Sequence, residues 1–218
     1  MTPVNSTDPA FDPPKNWFSC WWEPNRLFRA VDLHREHVEN VPLFSVPRLQ
    51  RVKEFLAAAS FACIRSQDQP CQLRFIDDIF PDFELRFHNH IEPFELVEAD
   101  RPGRRRGEEY KMAAQLRAEG KSAVTHVDPD LEEDQAIPAV EAAIKAKAGK
   151  KYSPAPNLLV YVNFSWATRK NPFALSHARA MGEKWESTFP SLWLFWKNNA
   201  IRCHPLPVTT IERRQSST

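Results

Sequence analysis

Glycine is scarce in this chain of 218 residues. Five glycines stand against 19 prolines, so most turns have to be built from residues of fixed φ rather than from flexible ones. The scarcity also removes any Gly-rich phosphate loop, and with it nucleoside-triphosphate chemistry of that kind. Net charge is nearly absent: 29 Lys and Arg against 28 Asp and Glu leave +1. No global field therefore draws the protein onto nucleic acid or an anionic membrane, and a polyanion site has to be a local patch. Long apolar runs are missing too. The most apolar stretch, Asn157 to Phe164, has the length of a strand, well short of the roughly 18 residues of a membrane span. The first residues, MTPVNSTDPAFDPPKNW, carry no basic start, apolar core or small-residue cleavage site, so the expectation is a cytoplasmic protein. Four cysteines occur without a CxxC pair or a secreted-scaffold spacing, which reads as reduced, mostly buried thiols. No GxSxG supports a serine hydrolase.

What is present is an ordinary globular composition, 42% hydrophobic and 26% charged, with seven Trp and 15 Phe. The length suits a single domain. Its expected limits are residues 17–205, between a Pro-rich tail over 1–16 and a polar tail over 206–218. Trp17 to Phe44 reads as an irregular aromatic segment too apolar to stand in water, which has to pack on the domain or on a partner. Ser45-Val46-Pro47 then opens a helix in which Leu49, Val52, Phe55 or Leu56, Ala59 and Cys63 recur at helical spacing.

Three short alternating runs follow, Gln72 to Ile76, Asp82 to Phe87 and Phe94 to Asp100, and suggest an antiparallel meander. Helical patterns return from Tyr110 to Gly120 and from about Pro138 to Gly149. Asn157 to Phe164 reads as a central strand buried on both faces. Leu175, Ala178, Met181 and Trp185 spell another helix, and Ser191–Trp196 with Ala200–Cys203 give closing strands, with a hairpin through Lys197-Asn198-Asn199. The fold class is α/β, a central mixed sheet flanked by helices.

Pro81-Asp82 opens the second run, and the third reads Phe94-Glu95-Leu96-Val97-Glu98-Ala99-Asp100. Side chains alternate along a strand, so Glu98 and Asp100 share a face and Glu95 points to the other. If the two strands pair, Asp82 reaches the same sheet end. Three carboxylates gathered there repel one another unless a hard divalent cation, Mg²⁺ or Mn²⁺, neutralises them. Acids at strand ends are also ordinary turn residues.

With this motif and the order αβββαβ, the chain over Ser45 to Phe164 resembles the PD-(D/E)xK phosphodiesterase superfamily, the restriction-endonuclease-like fold. The resemblance implies a metal-dependent nuclease hydrolysing phosphodiester bonds of nucleic acid. Asp82, Glu98 and Asp100 would be its metal and catalytic residues. Asp100 stands where the family has its Lys, and Lys111 or Lys145 would supply the missing cation. An alternative alignment, Glu95-Leu96-Val97, ranks second because its third position is apolar. The alternative function is an inactive member of the fold that binds protein or nucleic acid.

Arg101, Arg104, Arg105 and Arg106, with Lys145, would hold phosphates beside the metal. Lys145, Lys147, Lys150 and Lys151 would together neutralise phosphates there, but they suit a helix end better, where the helix dipole favours cations. The pairs His88/His90 and His34/His37 lack the further ligand that zinc needs. Trp193, Phe195 and Trp196, with Trp166 and Trp185, would stack bases or form a homodimer or partner interface, or simply fill the core.

Overall fold

A computed structural model describes residues 12–38, 47–78, 80–100, 115–116, 119, 129–150, 152–164, 175–205 and 207–212. The chain is α/β, built on a seven-stranded mixed sheet whose spatial order equals its chain order. The strands are β1 (Gln72–Phe75), β2 (Phe83–Arg86), β3 (Ile91–Ala99), β4 (Asn157–Val162), β5 (Leu192–Trp196), β6 (Asn199–His204) and β7 (Thr209–Glu212). β1, β2 and β3 form the expected antiparallel meander, β3–β4 and β4–β5 are parallel, and β5–β6–β7 are again antiparallel. The near-continuous apolar run of β4 therefore sits at the centre of the sheet, as its sequence demands.

The described helices are α1 (Asn16–Ser19), α2 (Pro24–Val38), α3 (Pro47–Asp68), α4 (Pro129–Ala148) and α5 (Leu175–Trp185). A parallel pair needs a crossover connection, and α4 and α5 are the helices of the two crossovers. With strand order running in one direction and one crossover hand, both helices fall on the same face of the sheet. There Ala136, Val140 and Ile144 of α4 and Ala178 and Met181 of α5 pack with Leu158, Val160, Leu194 and Trp196. The opposite face is covered by α3, whose Val52, Phe55, Ala59 and Ala62 meet Leu73, Phe83, Phe94 and Leu159. Gly182 of α5 lies so close to β6 that a Cβ there would stand 2.1 Å from the Cys203 carbonyl oxygen.

Two regions depart from the sequence reading. The segment expected to be irregular holds α2, which buries Leu27 and Val31 one turn apart. Its start is fixed by Pro24 and by Glu23, whose carboxylate accepts the amide N–H groups of Asn25 and Arg26 at 3.0 and 2.8 Å, satisfying otherwise orphaned donors. The aromatics preceding it do pack on the domain: Trp17 meets Phe55 and Phe75, and Trp22 bridges to Leu73 beside β1. The second departure is β7, which pairs with β6 inside the stretch 206–218 expected to be a tail. In addition α4 starts nine residues before Pro138. The helix expected around Tyr110 to Gly120 lies almost wholly outside the described residues.

None of the four cysteines is in a disulfide. Burial pushes the Cys71 and Cys203 thiols up to about 12, which keeps them protonated and unreactive. Among the described residues, no helix is long and apolar enough to cross a membrane.

Candidate functional site

The register Phe83↔Phe94 places Asp82 just before the start of β2, where β3 runs on beyond β2 and is paired with β4 only. The Asp82 amide donates to the Phe94 carbonyl at 3.0 Å, and its Oδ2 accepts the Leu96 amide N–H at 2.7 Å. The aspartate thus takes the place of the next β2 residue in the ladder. Along β3, Phe94 and Leu96 enter the core under α3, so alternation turns Glu95 to the face covered by α4. Its side chain is only 3% exposed. A buried carboxylate needs a cation and hydrogen bonds. Lys147, near the end of α4, donates to Glu95 Oε2, and the Tyr152 hydroxyl donates to the same oxygen at 2.9 Å. The Lys147 Nζ also stands 3.8 Å from Asp82 Oδ2. Tyr152 stacks on Phe80 with ring centres 5.0 Å apart, tying the exit of α4 to the loop that delivers Asp82. Among the described residues, Oε1 of Glu95 is buried without a hydrogen-bond partner.

On the α3 side of Asp82 lies a small cavity with room for about one water molecule, lined by Arg51, Glu54, Phe55, Phe83 and Leu96 among others. Desolvation raises the Asp82 pKa above the ordinary aspartate value, and the nearby Glu95 adds to this. The Leu96 N–H, Lys147 and Arg51 pull the other way. The Glu54 side chain reaches solvent, yet the protein crowding it and the charges of Asp82 and Glu98 also raise its pKa. Burial and then the bond to Glu95 push the Tyr152 hydroxyl upward, so it stays a donor at neutral pH.

The expected trio of Asp82, Glu98 and Asp100 is not assembled. Among the described residues, no three His, Cys, Asp or Glu side chains are placed to hold a metal ion. The reason is register: Asp82 sits level with residues 94–96, and Glu98 lies about 10 Å further along the strand from Glu95. Glu98 instead accepts a hydrogen bond from the Asn163 side chain at 2.5 Å, and Asp100 follows the end of β3, half-buried. The second-ranked alignment through Glu95 is the one that meets Asp82. Lys145 is exposed on α4, and the lysine of α4 that reaches the carboxylates is Lys147. Lys111, Arg101, Arg104, Arg105 and Arg106 lie outside the described residues, as does Trp166. Trp193, Phe195 and Trp196 are buried in the two cores, so they offer no docking surface.

Arg51, Glu54 and Tyr152 were not singled out by the sequence reading, and Lys147 entered it only as one of four lysines at a helix end. For Lys147 a signal existed. Val140, Ile144 and Lys147 follow one another at helical spacing, so Lys147 continues the inward stripe while Lys145 turns away. Nothing local marks Arg51 or Tyr152, whose roles depend on contacts 25 and 57 residues distant. No family model, curated protein or solved structure matches this chain.

Proposed function

We propose that the protein is a metal-dependent phosphodiesterase of the PD-(D/E)xK, restriction-endonuclease-like kind that acts on nucleic acid, with its lysine moved from β3 to α4. The observation that carries this reading is the Lys147 ammonium set between Asp82 and the buried Glu95, whose Oε1 has no partner among the described residues. The order α3-β1-β2-β3-α4-β4, with β3 and β4 parallel, supports it.

The residues fit a hard cation in a restricted way. Mg²⁺ is commonly held by one or two carboxylates, with waters and substrate phosphates filling the octahedron. Asp82 and Glu95 would be that pair, and the unfilled Oε1 is the acceptor it needs. Bound there, Mg²⁺ or Mn²⁺ would act as a Lewis acid toward the phosphate and lower the pKa of a coordinated water. The chain's own part is to hold Glu95 with Tyr152, to keep Asp82 fixed on the Leu96 amide, and to offset the charge of the pair with Lys147. Absence of any cysteine in a disulfide is compatible with the cytoplasm.

Calorimetric titration of Mn²⁺, with and without an oligonucleotide, tests the assignment. Saturable binding by the wild type that is lost in Asp82→Ala and Glu95→Gln, and kept in Glu98→Gln, is the expected result. Loss in Glu98→Gln alone would restore the first-ranked alignment. One observation favours the second reading, an inactive binding module: Lys147 already pairs with Glu95 and stands beside Asp82, where a metal ion would otherwise be needed. Nucleic-acid binding with no Mn²⁺ uptake under either condition would decide for it.

A further inference from the structure

Asp82 feels two cations, Lys147 and Arg51, and they are held in different ways. Lys147 is 15% exposed and committed to Glu95. Arg51 lies on the other side of Asp82, at the rim of the cavity, with 39% of its side chain open to solvent. Its guanidinium is fixed in orientation: it lies 5.5 Å from the centre of the Phe18 ring and 5.3 Å from that of Phe55. One terminal nitrogen donates to the Ile76 carbonyl at 3.0 Å. The other donates to Asp77 Oδ1 at 2.8 Å, and that carboxylate is 68% exposed. The two aromatic neighbours and a backbone tether pre-organise the guanidinium, whereas an ion pair with so exposed a carboxylate is worth little.

We propose that Arg51 is the phosphate-holding residue of the site: its guanidinium binds a non-bridging oxygen of the phosphodiester next to Asp82, and Asp77 is the weakly held anion that the phosphate displaces. This rests on the phosphodiesterase reading above and assigns it an electrophilic contact on the side of Asp82 away from Lys147. The location argues for the role. Arg51 and Asp82 line one cavity, so a phosphate at its mouth meets the guanidinium and the candidate metal carboxylate together. With one terminal nitrogen kept on the Ile76 carbonyl, the other, released from Asp77, offers the phosphate a charged donor of fixed direction. Asp77, carried on the loop after β1, can swing into solvent without breaking a strand.

The test measures binding of a short fluorescein-labelled oligonucleotide in EDTA by anisotropy, so that metal binding plays no part. Arg51→Gln is expected to weaken binding about tenfold or more, the scale of one charged hydrogen bond, with Arg51→Lys in between. Asp77→Asn, which leaves Arg51 and its aromatic neighbours in place, is expected to tighten binding two- to threefold, on the order of what loss of an exposed ion-pair competitor gives. A purely structural Arg51 predicts the opposite for Asp77→Asn: a lower melting temperature and no gain in affinity. If Arg51→Gln does not fold, Asp77→Asn decides alone. Absence of wild-type binding, unchanged affinity in Arg51→Gln, or no gain in Asp77→Asn overturns the assignment. A parallel Mn²⁺ titration separates it from the reading beneath it. Arg51-dependent oligonucleotide binding without Mn²⁺ uptake sinks the phosphodiesterase and leaves the phosphate site, while Mn²⁺ uptake with Arg51-indifferent binding does the reverse.

Discussion

Two buried polar clusters sit one residue apart in the β3–β4 register, at Phe94↔Asn157 and Glu95↔Leu158, and they are built on opposite principles. The first is neutral and closed. Asn157 donates to the Pro93 carbonyl at 3.0 Å, the Ser191 hydroxyl donates to Asn157 Oδ1 at 2.7 Å, and the Trp193 indole donates to Ser191 at 3.0 Å. It joins β3, β4 and β5 and needs nothing more. The second, Glu95 with Lys147 and Tyr152, is charged and leaves one carboxylate oxygen unfilled. Strand alignment is secured by the first; the second leaves a buried acceptor with no partner among the described residues, the feature on which the proposed cation site draws.

Removing members of each cluster sharpens that contrast. Lys147→Ala leaves the Glu95 charge buried without its cation and is expected to cost about 3–5 kcal/mol in urea unfolding. The double variant Glu95→Leu with Lys147→Met should recover most of that loss, since apolar replacement of a buried pair is often neutral; failure to recover would mean that the pair holds the fold and not a ligand. Ser191→Ala strands two buried partners and should cost about 1–3 kcal/mol, while leaving Mn²⁺ uptake unchanged. A shift in Mn²⁺ affinity in that variant would erase the distinction between the clusters. Tyr152→Phe keeps the ring on Phe80 and removes one bond to a carboxylate, about 1.5 kcal/mol by chemical denaturation.

The smallest effect is expected at Asp82, and its sign is diagnostic. Because the folded-state pKa is raised, chiefly by desolvation, the folded protein holds that proton more tightly than the unfolded chain. Stability then falls as pH rises from the ordinary aspartate value through the raised one, and the cost is fully present above it. Asp82→Asn should therefore melt slightly higher than the wild type at neutral pH, with the gain vanishing in acid below the ordinary aspartate value. A variant less stable at neutral pH than in acid, relative to wild type, would contradict a site held at the expense of stability.

The scaffold was more legible in the sequence than the site. The β1–β3 alternation, the apolar run of β4 and the proline-opened α3 are local signals that tertiary packing did not override. By contrast, α2 was hidden because seven of its 15 residues are charged or His, and of its described side chains after Pro24 only Leu27 and Val31 are buried. At the site, parity along β3 correctly separated Glu95 from Glu98. The choice between them depended on how far Asp82 reaches across the ladder, and that is set by the β2–β3 register, which no single strand encodes. Lys147 was readable by periodicity. Arg51 was not, because its value comes from a loop and an aromatic segment that are remote in sequence.

The contact between Gly182 and the Cys203 carbonyl bears on how this protein can vary. A Cβ at 2.1 Å from a backbone oxygen and 2.8 Å from its carbon meets atoms that no rotamer change can move, so any other residue requires α5 to lift off β6. Position 182 should accordingly return glycine alone from a saturation library selected for folded protein. Because α5 also covers β4 and β5 through Ala178 and Met181, the spacing between that helix and the sheet is quantised by one missing methyl group. In a chain with so few glycines, this one serves as a gauge of layer thickness rather than as a hinge.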